Sequence, residues 1–153
     1  MCRMEVKRIG MAEREAMMAI IEDAFAGASW YDNWQDRGQV SRYISDLASQ
    51  PNSLALGFFI DDQLMAVALG RVIHWYAGTQ YRIDDLGVRT VMQGKGIGSR
   101  LLKEVEQYDA GHGIDCIVLR TNRQAAAYRF YLRNGYQRHD DEVCLKKQVN
   151  GQG

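Results

Sequence analysis

The chain has 153 residues, 46% of them hydrophobic and 25% charged, with 15 Gly and a single Pro. That length predicts one domain over residues 1–153, burying about 70% of the unfolded chain's surface, and the composition excludes collagen, low-complexity disorder and a disulfide scaffold. Nineteen Lys and Arg balance nineteen Asp and Glu, so the general electrostatic footprint of a nucleic-acid or anionic-membrane partner is missing.

Val6 and Ile9 mark a short edge strand. Met17, Ile20, Ile21, Ala24 and Phe25 then recur at helical spacing and predict a helix over residues 11–26, ended by Gly27. Met11, Met17 and Met18 read as its core side chains. Residues 28–37, with Trp30, Tyr31 and Trp34 among polar neighbours, read as an aromatic loop. Val40, Tyr43, Ile44 and Leu47 mark a second amphipathic helix that stops before Pro51.

The pattern then changes to strands. The apolar runs 54–60 and 64–73, separated by Asp61-Asp62-Gln63, predict a hairpin. A loop over 76–80 leads to a third strand at 81–88. After Gly-rich residues 93–98, Ile97, Leu101, Leu102, Val105 and Tyr108 define a helix that Gly111 and Gly113 end. Residues 114–119 read as a buried strand, 125–133 as a helix stopped by Asn134-Gly135, and 136–147 as a closing segment of weaker strand character. The tail 148–153 is expected to be flexible. No repeat or linker divides the chain, and the order of elements predicts an α/β sandwich around a mixed sheet.

Cys2, Cys116 and Cys144 are odd in number and lack C-x-x-C spacing. They read as reduced thiols of a cytoplasmic protein, with no metal site, and Cys116 and Cys144 as small core hydrophobes. The N-terminal residues have no apolar signal-peptide region, and no apolar run is long enough to span a membrane.

The sharpest chemistry lies in Gln93-Gly94-Lys95-Gly96-Ile97-Gly98, between a predicted strand and a predicted helix. Glycines admit a ligand close to the backbone N–H groups, and a helix N-terminus offers unpaired donors to a phosphate. A nucleotide-triphosphate loop requires Ser or Thr after Gly-Lys, where Gly96 stands. A dinucleotide loop requires a glycine three residues past Gly98, where Leu101 stands. Neither pattern is met.

The remaining pattern, Gln-x-x-Gly-x-Gly at Gln93, Gly96 and Gly98, resembles the pyrophosphate loop of the GNAT superfamily of N-acetyltransferases. Asp85-Leu86-Gly87-Val88 resembles that family's fourth strand. Ala127, Phe130-Tyr131 and Asn134-Gly135-Tyr136 resemble its closing signature. The resemblance covers nearly the whole chain and implies a central mixed, mostly antiparallel twisted sheet of six to seven strands flanked by about four helices.

It also implies transfer of an acetyl group from acetyl-CoA to a primary amine. The backbone from Gln93 through Ser99 (Gly94, Lys95, Gly96, Ile97 and Gly98 between them) would hold the pyrophosphate. Leu86 and Val88 would pair with pantetheine, and Gly87 fits the bulge that splays this strand. The Val88 N–H is the candidate oxyanion donor. Tyr131 holds the place of the general acid to the departing thiolate; its alternative is a core tyrosine. The base is open between Asp84 and Asp85, which strand alternation would point to opposite faces. A solvated or ion-paired carboxylate is the competing reading for each. Gln124 stands where the family often has a cofactor-contacting Asn, with Asn122 two residues earlier.

Specificity is expected from Trp30, Tyr31, Asp32, Trp34 and Asp36, whose aromatics and carboxylates could embrace a cationic amine, and from His74, Trp75 and Tyr76. His74 is a candidate base or a structural side chain. Arg120, Arg123, Arg129, Arg133 and Arg138 read as a solvated face or a seat for the cofactor's 3′-phosphate. The acceptor is expected to be a small-molecule amine. The alternatives are a protein or peptide amine, or a non-catalytic acyl-CoA-binding module. Homodimers are common in the resembled family.

Overall fold

The computed structural model describes residues 2–25 and 36–151; the aromatic loop expected at 28–37 lies almost wholly outside them. A sheet of five strands runs in chain order: β1 (Met4–Ile9), β2 (Ser53–Ile60), β3 (Gln63–Trp75), β4 (Gly78–Val88) and β5 (Cys116–Leu119). The first three pairings are antiparallel and the last is parallel. Four α-helices lie among the described residues: α1 (Arg14–Phe25), α2 (Arg37–Ala48), α3 (Ile97–Gly111) and α4 (Ala126–Arg133).

The sheet separates two cores. On one face Met17, Ile20 and Ile21 of α1 and Val40, Ile44 and Leu47 of α2 meet Val67 and Leu69 of β3. On the other face Ile97, Leu101 and Val105 of α3 meet Ala66 and Ala68 of β3 and Tyr81 and Ile83 of β4. Each buried Leu, Ile or Val contributes about 1.5–3 kcal/mol, and the stripe spacings in α2 and α3 dictate which side of each helix turns inward. Met11 lies in a short 3₁₀ turn ahead of α1, whose start is fixed by the Gly10 N–H donating to Glu13 Oε2 at 3.0 Å. Asp36 caps α2, accepting from the N–H of Gly38 at 2.8 Å and of Gln39 at 3.3 Å.

The hairpin turns are tighter than the sequence suggests. Asp61 and Asp62 take φ of 48° and 67°, the left-handed pair that a two-residue hairpin turn requires. The loop expected at 76–80 shrinks to Tyr76-Ala77, and β3 and β4 extend to meet it.

Two expectations are corrected at the last strand. Residues 136–147 form no strand, so the described sheet has five strands rather than six or seven. The run Arg138-His139-Asp140-Asp141-Glu142 is solvated, and Val143 and Leu145 beyond it are 78% and 89% exposed. β5 is therefore a half-buried edge strand, and Cys116 and Cys144 are exposed thiols rather than core side chains.

Candidate active site

The site is built where β4 leaves β5. The parallel ladder between them ends at Ile83–Leu119, while β4 continues alongside β3 to Val88. One register shift interrupts the β3–β4 pairing: Leu69 faces Asp85, Gly70 faces Ile83, and Asp84 has no partner across the ladder. The bulge is thus at Asp84 and not at Gly87, which pairs regularly with Val67.

This extra residue reverses the parity of β4. Tyr81 and Ile83 face the α3 core before it, and Leu86 and Val88 face the same core after it. Asp84 and Asp85 consequently turn together toward α2 rather than to opposite faces. The Tyr43 hydroxyl of α2 donates to Asp85 Oδ2. Asp84 pairs with Arg71 Nε at 3.6 Å. Asp84 and Arg71 line a cavity of about 540 Å³ with Tyr43, Asp46 and Gln50.

The same ladder sets the backbone of β4. The Arg89 N–H donates to the Met65 carbonyl at 3.0 Å, so in this register Gly87 and Asp85 also occupy hydrogen-bonded sites. The N–H and C=O groups of Leu86 and Val88 alternate away from β3, into the gap where β5 has ended. The Leu86 N–H and C=O and the Val88 N–H are thus peptide groups available to a peptide-like ligand, while the Val88 carbonyl is taken by Gln93.

Beyond Val88 the chain is held in place before it turns. The Thr90 N–H donates to Asp23 Oδ2 at 2.8 Å, and the Gln93 amide donates to the Val88 carbonyl at 3.1 Å. Gly94 and Gly96 take φ of 78° and 77° in open space. Gly96 caps α3 with no side-chain partner, and the N–H groups of Gly94, Lys95, Gly96, Ile97, Gly98 and Ser99 donate to no acceptor among the described residues. A cradle of donors at a positive helix end fits a pyrophosphate. Gly98 also lets α4 approach: a Cβ there would stand 3.0 Å from Phe130 Cζ.

Tyr131 of α4 is half-buried, edge-on to Phe130 at 5.3 Å and to Tyr136 at 5.6 Å. Burial first, and the Asp85 charge second, push its phenol well above the usual tyrosine range. Gln124 is exposed at the entry to α4, its N–H donating to Asn122 Oδ1 at 2.8 Å.

The sequence profile of the Acetyltransferase (GNAT) family matches residues 14–136. The chain belongs to the GNAT family of acetyltransferases. Solved structures share the fold at low identity. An aminoglycoside acetyltransferase from an uncultured soil metagenomic sample, in complex with sisomicin, is 16% identical, with 95% of this chain and 96% of that one covered and a TM-score of 0.74. The aminoglycoside N-acetyltransferase AAC(6′)-Iy in complex with CoA is 10% identical, with 97% of each chain covered and a TM-score of 0.76. A ribosomal-protein-alanine N-acetyltransferase from Brucella melitensis biovar Abortus 2308 is 14% identical, with 95% and 100% covered and a TM-score of 0.77. No curated protein sequence matches the chain.

Acetyl-CoA is the donor GNAT enzymes use, and the peptide groups of Leu86 and Val88 and the turn at Gly94–Ser99 suit its pantetheine and pyrophosphate. Other expected residues fall elsewhere. Trp30, Tyr31, Asp32 and Trp34 lie outside the described residues. Asp36 is engaged as the α2 cap and lies 3.8 Å from Arg42. His74 pairs with Thr79 near the hairpin tip, about 30 Å of strand from Val88. Arg138 pairs with Asp140 at 3.3 Å, and Arg120 reaches Cys144 Sγ. Among the described residues no group of three or more His, Cys, Asp or Glu could hold a metal, and no helix is long and apolar enough to cross a membrane.

Sequence reasoning missed Gly70 and the hydroxyl of Tyr43. Gly70 carried a signal, a glycine inside an apolar strand run. Tyr43 carried none beyond its place on the apolar stripe of α2.

Proposed function

We propose that this GNAT protein transfers the acetyl group of acetyl-CoA to a primary amine of a small molecule. The observation that carries the reading is a pair of backbone features: β4 turns the peptide groups around Leu86 and Val88 away from β3 where β5 has ended, and the N–H groups of Gly94 through Ser99 at the start of α3 donate to no acceptor among the described residues. Pantetheine adds alongside β4 as a further strand would, and Gly94–Ser99 with Lys95 hold the pyrophosphate. Gln93 braces the turn on Val88. Gln124, at the start of α4, is the amide offered to the cofactor's peptide-like arm.

The amine nitrogen attacks the thioester carbon, and the negative charge that develops on the carbonyl oxygen meets the Val88 N–H. Collapse of the tetrahedral intermediate re-forms the carbonyl and expels the CoA thiolate, which takes the Tyr131 hydroxyl proton. The nitrogen sheds its remaining extra proton as it becomes an amide, and that proton restores the Tyr131 phenol through solvent. The incoming ammonium first gives a proton to a carboxylate, Asp84 or Asp85. A polar cavity beside Asp84 and the aminoglycoside enzymes among the structural neighbours favour a small, polar amine. The likeness to a ribosomal-protein-alanine N-acetyltransferase supports a peptide N-terminus as the second reading.

Calorimetric titration with acetyl-CoA, with ATP and NAD as controls, tests the donor site. Selective binding near micromolar Kd, about −8 kcal/mol, is the expected result; no binding at millimolar ligand overturns it. CoA release with sisomicin and with an alanine-terminated peptide then separates the two acceptor classes. Acetyl-CoA binding without turnover of any amine would make the chain an acyl-CoA-binding module.

A further inference from the structure

Asp85 is approached from two helices. Tyr43 of α2 donates its hydroxyl to Asp85 Oδ2, and Tyr131 of α4 is near enough for the Asp85 charge to act on its phenol. Its neighbour Asp84 occupies the bulge and already faces the Arg71 guanidinium. Asp85 itself sits in a hydrogen-bonded site opposite Leu69, one residue before Leu86, where β4 opens its backbone to the groove. Thus Asp84 is matched to the Arg71 cation, and Asp85 takes the Tyr43 hydroxyl beside the outward backbone of Leu86.

We propose that Tyr43 is a positioning residue, holding the Asp85 carboxylate ionised and aimed so that Asp85, and not Asp84, takes the proton of the incoming ammonium. The inference rests on the acetyltransferase reading and adds to it the choice of base and the residue that orients it. Tyr43 can do this because α2 is immobilised from both sides. Asp36 caps its first turn, and Val40, Ile44 and Leu47 are buried against the sheet. The ring of Tyr43 packs at the border of that core, so its hydroxyl is delivered by a rigid element. Among the described residues, the titratable groups shown to act on or lie beside Asp85 include Tyr43 on α2, Tyr131 on α4 and Asp84 on β4, the last paired with Arg71 of β3. On α1, Asp23 is engaged by Thr90.

A hydroxyl that donates to a carboxylate favours its ionised form. Tyr43→Phe keeps the ring and removes only that donor, so Asp85 holds its proton to higher pH. The test is a ¹³C titration of the aspartate carboxyls, with the Asp85 signal assigned by its loss in Asp85→Asn. The Asp85 midpoint should rise in Tyr43→Phe while that of Asp84 stays put; an unmoved Asp85 midpoint overturns the proposal, whether or not any acceptor is known. With sisomicin as acceptor, kcat/KM should fall about 10-fold on the acid side of the profile. It should recover toward wild type at alkaline pH, with the KM for acetyl-CoA unchanged, and in the Asp85→Asn background the same substitution should have no effect. A loss of equal size at every pH, or one that persists in that background, would mark Tyr43 as merely structural. Absent acetyl-CoA binding by the wild-type protein would instead defeat the acetyltransferase reading, leaving the titration result standing by itself.

Discussion

Gly70 lies directly under the Arg82 carbonyl: a Cβ at position 70 would stand 2.0 Å from that oxygen and 2.9 Å from Ile83 Cα. Both contacts are with backbone, so no rotamer change relieves them. Gly70 sits across from the bulge at Asp84, and the close approach is what lets β4 carry an extra residue there. Gly70→Ala is expected to lose about 1–3 kcal/mol of stability through overpacking, read as a lower urea midpoint. A one-residue slip in response would turn Leu86 and Val88 over, so acetyl-CoA binding should weaken as well. An unchanged midpoint and affinity would mean that the bulge does not depend on Gly70.

The glycine turn separates strain from ligand binding. Gly96 and Gly113 have nearly the same backbone, φ of 77° and 73°, at opposite ends of α3, and neither has an atom within 4 Å of a Cβ. Alanine in a left-handed conformation costs about 1–2 kcal/mol at either place. Both variants should lose similar stability in denaturant melts, but only Gly96→Ala should lose acetyl-CoA affinity, by about 10-fold or more. Equal affinities in the two variants would count against the pyrophosphate cradle.

Much of this was legible because it is written in periodicity. Val40, Ile44 and Leu47, or Ile97, Leu101 and Val105, lie on the buried stripes that their spacing predicts. The reversal in β4 was also present, as apolar residues at odd positions 81 and 83 and at even positions 86 and 88, with Asp84-Asp85 at the break and Gly70 across from it. Reading the strand as one uninterrupted alternation sent the two carboxylates to opposite faces. The strand expected at 136–147 fails to form for another reason. A strand is set by its partners, and two apolar residues beyond a charged run supply too little burial to hold one against β5. Tyr43 was out of reach because its hydroxyl meets a residue 42 positions away, and no local pattern encodes that meeting.

Asp109 makes the far end of α3 sensitive to pH. It is 3% exposed, and neither carboxylate oxygen has a partner among the described residues. Burial chiefly raises its pKa from 3.8 to about 7, with His112 opposing and Glu106 adding to the rise. The folded chain therefore keeps a proton that the unfolded chain releases between about pH 4 and 7. Its contribution favours folding at low pH, is lost progressively as pH rises through that window, and is flat above it. Asp109→Asn removes the ionisation. In thermal melts the variant should gain on wild type as pH rises from about 4 to 7. Parallel profiles would show that Asp109 is already neutralised by other means.

Tyr131→Phe tests the proton donor. The aromatic contacts with Phe130 and Tyr136 survive this change, so the fold and acetyl-CoA binding should be kept while kcat falls about 10²-fold or more. The pH dependence of that loss is more telling than its size. Burial first, and Asp85 second, push the Tyr131 phenol well up, so it remains protonated as pH rises through the range where a free tyrosine, with a pKa of about 10, would ionise. The deficit of the variant should therefore be constant between about pH 7 and 10. Any alkaline limb in the wild-type profile should persist in Tyr131→Phe, because it belongs to another group. A limb near pH 10 that disappears with the hydroxyl would mean that Tyr131 titrates like an exposed phenol and that its buried environment does not govern the reaction. An unchanged kcat would remove it from the proton transfer altogether and leave the departing thiolate to be protonated by water.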